Sequence, residues 1–197
     1  MIHAARHMKH NNLMGSSQKG FMHGVSGCVE QQYTLQEAIF KAKSTGRSDV
    51  VLVMTDISNA FGSVRHKLIE FALRHYRFSE DFIQLMRSIY EELQVKIQIG
   101  KESCTVSQNI GVFQGDPLSP ILFNIVLNLI LEPLSNKDVV KEHGITLSGT
   151  TRITNCAFAD DVNLLARNVS SAQELLYIFE KALSWTRCLK AAPSKFA

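Results

Sequence analysis

Leu35, Ala38, Ile39 and Ala42 fall on one side of a 3.6-residue spiral, and the capping-box pair Thr34 and Glu37 predicts a helix that opens there and ends at Gly46. Its apolar stripe needs a sheet to cover. The run from Asp49 to Asp56 is almost unbroken Val, Leu and Met, the composition of a strand buried on both faces, with Asp56 at its carboxyl end. Beyond it, Leu68, Phe71 and Ala72, then Phe82, Leu85, Met86 and Ile89, recur at helical spacing. Ser79 followed by Glu80 and Asp81 marks the start of the second helix, since the hydroxyl caps free amides and the acids favour the positive end. Two helices are therefore expected to cover one side.

Val95, Ile97 and Ile99 alternate with Lys96 and Gln98 before Gly100, which predicts a hairpin with one wet face, a surface suited to a bound strand. After a loop holding Gly111 and Gly115-Asp116-Pro117, a helix is expected from about Leu118 to Leu134, followed by polar residues 135 to 149. Residues 151 to 159 and 162 to 166 flank Asp160-Asp161, which places both acids in a tight hairpin turn. A last helix carries Ala172, Leu175, Leu176, Phe179, Ala182 and Leu183 on one stripe, with Ser171 and Glu174 as its capping box. The predicted fold class is α+β: a largely antiparallel sheet with helices packed on one face.

Composition changes this picture little. At 197 residues, 45% hydrophobic and 20% charged, the chain has the profile of one soluble globular domain, and no repeat or Pro/Gly-rich linker divides it. A net charge of +3 permits contact with a polyanion without demanding it. Cys28, Cys104, Cys156 and Cys188 are far apart with no C-x-x-C pair, which argues against a zinc site or a disulfide framework and for a reducing, intracellular setting. The start lacks the apolar core of a secretory signal. The most apolar stretch, Leu118 to Leu134, is interrupted by Asn124, Asn128 and Glu132, as suits a buried helix and not a membrane span.

The chemistry is carried by acids. Adjacent carboxylates repel, and holding Asp160 and Asp161 near a third acid, Asp56, is costly unless a cation sits among them, so the three form a candidate divalent-metal site suited to phosphoryl transfer. Taken singly, an Asp ending a strand is an ordinary turn former, and Asp-Asp is common in hairpins. His3, His7 and His10 share helical spacing, but no acid or cysteine joins them as a metal set. Lys9, Lys19, Arg65, Lys67 and Arg74 are candidate phosphate contacts, although scattered bases are mostly solvated surface.

Three ordered segments decide between these readings. Thr55-Asp56-Ile57-Ser58-Asn59-Ala60-Phe61, Gln114-Gly115-Asp116-Pro117-Leu118-Ser119-Pro120-Ile121-Leu122-Phe123-Asn124 and Ala157-Phe158-Ala159-Asp160-Asp161 resemble motifs A, B and C of reverse transcriptases, in the version found in non-LTR, LINE-type retrotransposons. Ser17-Gln18-Lys19-Gly20-Phe21-Met22 with Gly27-Cys28-Val29-Glu30 resembles the segment before motif A, and Leu189 to Lys195 resembles motif D. The resemblance implies a polymerase palm-like sheet, with 1–48 as partial fingers, 49–197 as palm with motifs A to D, and no thumb. It implies that Asp56, Asp160 and Asp161 are catalytic and hold two Mg²⁺ ions, with Mn²⁺ as a substitute. Such ions, about 4 Å apart, activate a primer 3′-hydroxyl and stabilise departing pyrophosphate. Phe61 matches the steric gate that excludes a 2′-hydroxyl. Gln114, Gly115 and Pro117 match the nucleotide-binding loop, and Lys195 matches a lysine proposed to neutralise or protonate pyrophosphate. The implied partners are an RNA template, a DNA primer and deoxynucleoside triphosphates, with no membrane.

The chain also departs from the family pattern. Gly62 stands where an Asp is usual, Phe113 where a basic residue often precedes the motif B Gln, and Cys188 where motif D has a glycine. None of these removes a metal ligand. Without a thumb or the basic fingers strand, the isolated chain is expected to polymerise weakly or not at all, because a duplex product must be held against counterion and entropy costs. The alternative expectation is a truncated, catalytically inert relic or a nucleic-acid or partner-binding module. A nucleotidyl cyclase or an RNA-templated RNA polymerase fits less well with the Gln114 to Pro120 loop and with Phe61.

Overall fold

The computed structural model describes residues 6–8, 10–11, 13, 15–21, 24, 26–45, 50–113, 115–147 and 151–192. In chain order the elements are α1 (Gly27–Thr45), β1 (Val51–Thr55), α2 (Ala60–Ser63), α3 (His66–His75), α4 (Glu80–Glu91), β2 (Gln94–Ile99), β3 (Glu102–Ser107), α5 (Ser119–Leu131), a 3-10 turn (Pro133–Ser135), α6 (Lys137–His143), β4 (Ile145–Thr146), β5 (Arg152–Ile153), β6 (Asn155–Phe158), β7 (Asp161–Ala166) and α7 (Val169–Trp185). This is the mixed α+β class that the sequence predicts.

The central sheet has the order β1-β7-β6 and is antiparallel throughout. Alternation along β7 sends Val162, Leu164 and Ala166 to one face, where they join Leu73, Leu122, Phe123, Leu175 and Phe179 from α3, α5 and α7 in the main core. Leu165 points the other way and meets Cys156, Leu52 and Ala38 of α1 in a smaller cluster. Helices therefore cover both faces, not one as predicted, because Leu165, Leu52 and Cys156 make an apolar patch on the second face that α1 buries through Ala38. The expectation of a β1 strand buried on both faces is also corrected. It is an edge strand, only half-buried along most of its length, and its Met54 is exposed.

Several boundaries move for identifiable reasons. α1 opens at Gly27, seven residues before the predicted cap, and Thr34 lies inside it with its hydroxyl donating to the Glu30 carbonyl (2.9 Å), while Gly46 lies outside the described residues. α7 opens at Val169 because Asn168, not Ser171, is its cap: Asn168 Oδ1 accepts from the Ser171 amide at 2.8 Å. α5 ends at Leu131, short of Leu134. Ser79 caps α4 as predicted, accepting from the Phe82 amide. The buried stripes of α3 and α4 are Leu68, Ile69, Ala72 and Leu73, and Ile83, Met86 and Tyr90, so Phe71, Leu85 and Ile89 are exposed.

The hairpin β2–β3 forms as predicted around Gly100, but all of its paired residues are exposed, so both faces are wet and not one. The asparagines that interrupt α5 are buried hydrogen-bonding groups. Asn128 donates to the Leu13 carbonyl (2.8 Å) and the Tyr76 hydroxyl (2.6 Å) and accepts from the Gly15 amide (2.6 Å). No described helix is long and apolar enough to cross a membrane. The four cysteines are free, and burial pushes the Cys156 thiol up to about 12, which keeps it protonated and inert.

Candidate active site

The register of the central sheet gathers the three acids at one end. The last β1–β7 pair is Thr55 with Val162, so Asp56 and Asp161 occupy the next opposed positions. Alternation puts both on the face of Leu52 and Leu165, at the end where exposed Met54 shows that α1 no longer covers the sheet. Asp160 is half-buried in the connection from β6 to β7. The predicted turn is corrected by one residue: Asp161 opens β7 opposite Phe158, so the two-residue turn is Ala159-Asp160 and not Asp160-Asp161.

Partial desolvation, then the negative charges of Asp160 and Asp56, raise the Asp161 carboxyl above its ordinary range. The three carboxylates are thus close enough to repel. Among the described residues, no three acidic, histidine or cysteine side chains converge tightly enough to hold an ion. Repulsion opposes that convergence until a cation neutralises it, and an all-carboxylate donor set fits a hard ion such as Mg²⁺.

The backbone around Asp56 is held from its open side by the segment after α7. The Ala192 amide donates to the Asp56 carbonyl (2.7 Å), the Ser58 amide donates to the Lys190 carbonyl (3.0 Å), and Ile57 bridges Ala191. In the turn before Leu189, Arg187 has φ 57° and Thr186 Oγ1 accepts from the Leu189 amide at 3.0 Å. Lys195 and Gln114 lie outside the described residues.

Phe61 is half-buried in α2, stacked on the fully buried Phe123 at 4.6 Å and 18°, with Phe21 meeting it edge-on at 6.4 Å. Gly62, which replaces the usual acid, is explained by Asn59. A Cβ at position 62 would lie 2.5 to 2.9 Å from the Asn59 amide group, so the small residue makes room for this side chain. Gly115 and Pro117 are exposed ahead of α5, and Asp116 accepts from the Ser119 hydroxyl at 3.2 Å. Of the candidate phosphate contacts, Lys19 pairs with Glu30 and Arg74 with Glu70 and Glu80, while Arg65 and Lys67 line a cavity of about 680 Å³ beside α3 and α4. Lys9 and His3 lie outside the described residues; His7 engages the Tyr76 carbonyl at 3.0 Å.

Sequence reasoning missed the support beneath the acids. Buried Gln18, Gly20, Gln31 and Asn124 bond one another or the backbone of Ala157 and Ala159. The polar interruption at Asn124 within an apolar helix was their clearest signal.

A family model described as reverse transcriptase (RNA-dependent DNA polymerase) matches residues 2–197. The chain belongs to the reverse transcriptase family. Its relatives are of the non-LTR retrotransposon type. It is 28% identical over 180 residues to the Pol polyprotein of retrotransposable element R2 from Nasonia vitripennis, covering 91% of this chain and 17% of that protein. It is 32% identical over 161 residues to that of element R2DM from Drosophila melanogaster, covering 81% and 14%. The chain thus spans less than a fifth of the length of these relatives. Its fold is shared with apo telomerase from Candida tropicalis truncated from its C-terminal domain, with a TM-score of 0.68 and 11% identity over 100% of this chain and 40% of that one. At that identity the likeness speaks for the fold alone.

Like-charge repulsion among these three carboxylates predicts a stability effect. Because the folded Asp161 carboxyl is raised, its contribution to stability is fully present below the ordinary carboxylate range and is lost as pH rises through the raised value. Asp161→Asn is therefore expected to raise the melting temperature without divalent ions by about 2 °C at pH 7, a small gain because the group is exposed. The gain should vanish at acid pH. Thermal scans of both proteins at pH 3.5 and 7 check this, and a gain confined to acid pH would contradict it.

Proposed function

We propose that the chain is the RNA-directed DNA polymerase core of a retrotransposon protein, adding deoxynucleotides to a DNA primer 3′ end along an RNA template. In this reading, residues 1–48 are partial fingers and 49–197 the palm. The observation that carries it is the register that sets Asp56 opposite Asp161, with Asp160 in the adjoining turn, in a chain of this family.

Asp56, Asp160 and Asp161 hold Mg²⁺. When bound, the ions supply activation of the attacking hydroxyl and neutralisation of charge on the leaving pyrophosphate. The protein's part is to position and to exclude. Phe61, its ring stacked on Phe123, screens the incoming sugar against a 2′-hydroxyl. Gln114, Gly115 and Pro117 shape the template and nucleotide pocket, and Lys195 meets the pyrophosphate.

Calorimetric titration with Mg²⁺ or Mn²⁺, with and without primer-template and a deoxynucleoside triphosphate, tests the metal half. Heat of binding that disappears in Asp56→Asn is the expected result, and a silent titration under every condition refutes it. The alternative reading is a catalytically inert chain that binds nucleic acid or a partner. Template binding with no extension product at any metal concentration would select it.

A further inference from the structure

Gln18 is 2% exposed, and its amide group is committed to one short stretch of backbone. Its Oε1 accepts from the amides of Gly20 (2.7 Å) and Ala159 (3.1 Å), and its Nε2 donates to the Ala159 carbonyl (3.2 Å). Ala159 has φ 53°, the left-handed region that costs any residue with a Cβ. Such a conformation persists when its surroundings over-determine it, and here one side chain grips both polar backbone groups of the residue just before Asp160. Gly20 closes on the same point: a Cβ there would lie 2.4 Å from the Ala159 nitrogen. Asn124 of α5 fixes Gly20 in turn by donating to its carbonyl at 2.6 Å.

These contacts are not needed to dock the Gln18 segment. The Lys19 amide donates to the Ala157 carbonyl (2.9 Å), the Ala157 amide donates to the Ser17 carbonyl (2.8 Å), and Gln31 Nε2 reaches both carbonyls. The segment thus joins the edge of β6 through other groups, which leaves the Gln18 amide acting on the turn.

We infer that Gln18 is a positioning residue: by clamping Ala159 in its left-handed conformation it sets the direction in which Asp160 and Asp161 leave the turn, and so the divalent-cation affinity of the site. The inference rests on the metal-binding reading of the three acids. Gln18→Met keeps the side chain's length and bulk and removes its hydrogen bonds. Ala159→Gly makes the left-handed conformation intrinsically accessible, so it relieves the need for the clamp.

The test is Mn²⁺ titration of the chain followed by electron paramagnetic resonance, on wild type, Asp160→Asn, Gln18→Met and Gln18→Met/Ala159→Gly, with melting curves alongside. Wild type should bind Mn²⁺ and Asp160→Asn should not. Gln18→Met should bind about tenfold more weakly, as for loss of an outer-shell support, and the double variant should recover most of that loss. Gln18→Met binding as tightly as wild type overturns the inference, as does a weakened affinity that Ala159→Gly fails to restore. If Gln18→Met does not fold, Gly20→Ala, whose added Cβ would press on the Ala159 nitrogen that Gln18 holds, should weaken Mn²⁺ binding similarly, and unchanged binding there overturns it. Failure of the metal reading looks different: wild type and Asp160→Asn would be indistinguishable.

Discussion

Asp160→Asn is expected to reduce RNA-templated, metal-dependent primer extension by about three orders of magnitude, while the melting temperature stays within a few degrees of wild type. The substitution is nearly isosteric and takes one negative charge from a half-buried turn residue that packs no core. The fold loses little. The proposed reaction must neutralise charge on a transferring phosphoryl group, and deleting one preorganised electrostatic partner of that kind typically costs about a hundred- to a thousandfold. Extension should be measured on a preannealed RNA template and DNA primer at low salt, since phosphate contacts weaken steeply as salt rises. Equal, measurable extension by wild type and Asp160→Asn would remove the acids from the mechanism.

Phe123→Ala should produce the largest loss of stability, about 3 to 5 kcal/mol, as befits a fully buried ring whose removal leaves a cavity between α5 and the sheet. For a chain of this length that corresponds to a fall of about 10 °C in Tm. The same ring backs Phe61 at 4.6 Å, so any folded fraction should also discriminate less between ribo- and deoxyribonucleotides. Denaturation curves read the first effect and paired nucleotide incorporation reads the second. A Tm change under 2 °C would show that the site repacks and that Phe123 is no pillar for Phe61.

The outline of this fold is legible in the chain where local chemistry decides. Ser79 names the start of α4, Gly100 the tip of the β2–β3 hairpin, and the apolar run before Asp56 the strand β1. Readings that depended on distant partners went astray. Thr34 looks like a cap until Gly27, two turns earlier, packs against Phe158 at the end of β6; nothing in its neighbours announces that. The apolar run of β1 suggests burial on two faces, but its place at the sheet edge is set by β7, more than a hundred residues away. The hairpin's alternation promises a dry face that no other described element supplies.

At the candidate site, the ordered motifs point to Asp56, Asp160 and Asp161, whereas the exchange of one residue in the turn, Ala159 for Asp161, follows only from the register. Gln18 was visible as part of a recognisable segment, but its task was not, because an amide's partner across 141 positions leaves no trace in spacing.

That separation has a kinetic consequence. Contacts joining residues 18 and 159, and 56 and 192, close nearly the whole chain into loops, and non-local closure of this kind slows folding. On the ribosome, the first hundred and fifty residues would emerge with β1 lacking its neighbour and the helices lacking a surface to settle on. In the proposed reading, the place where the three acids meet forms only after β7 has paired with β1, and refolding from denaturant should recover helical signal well before cation binding.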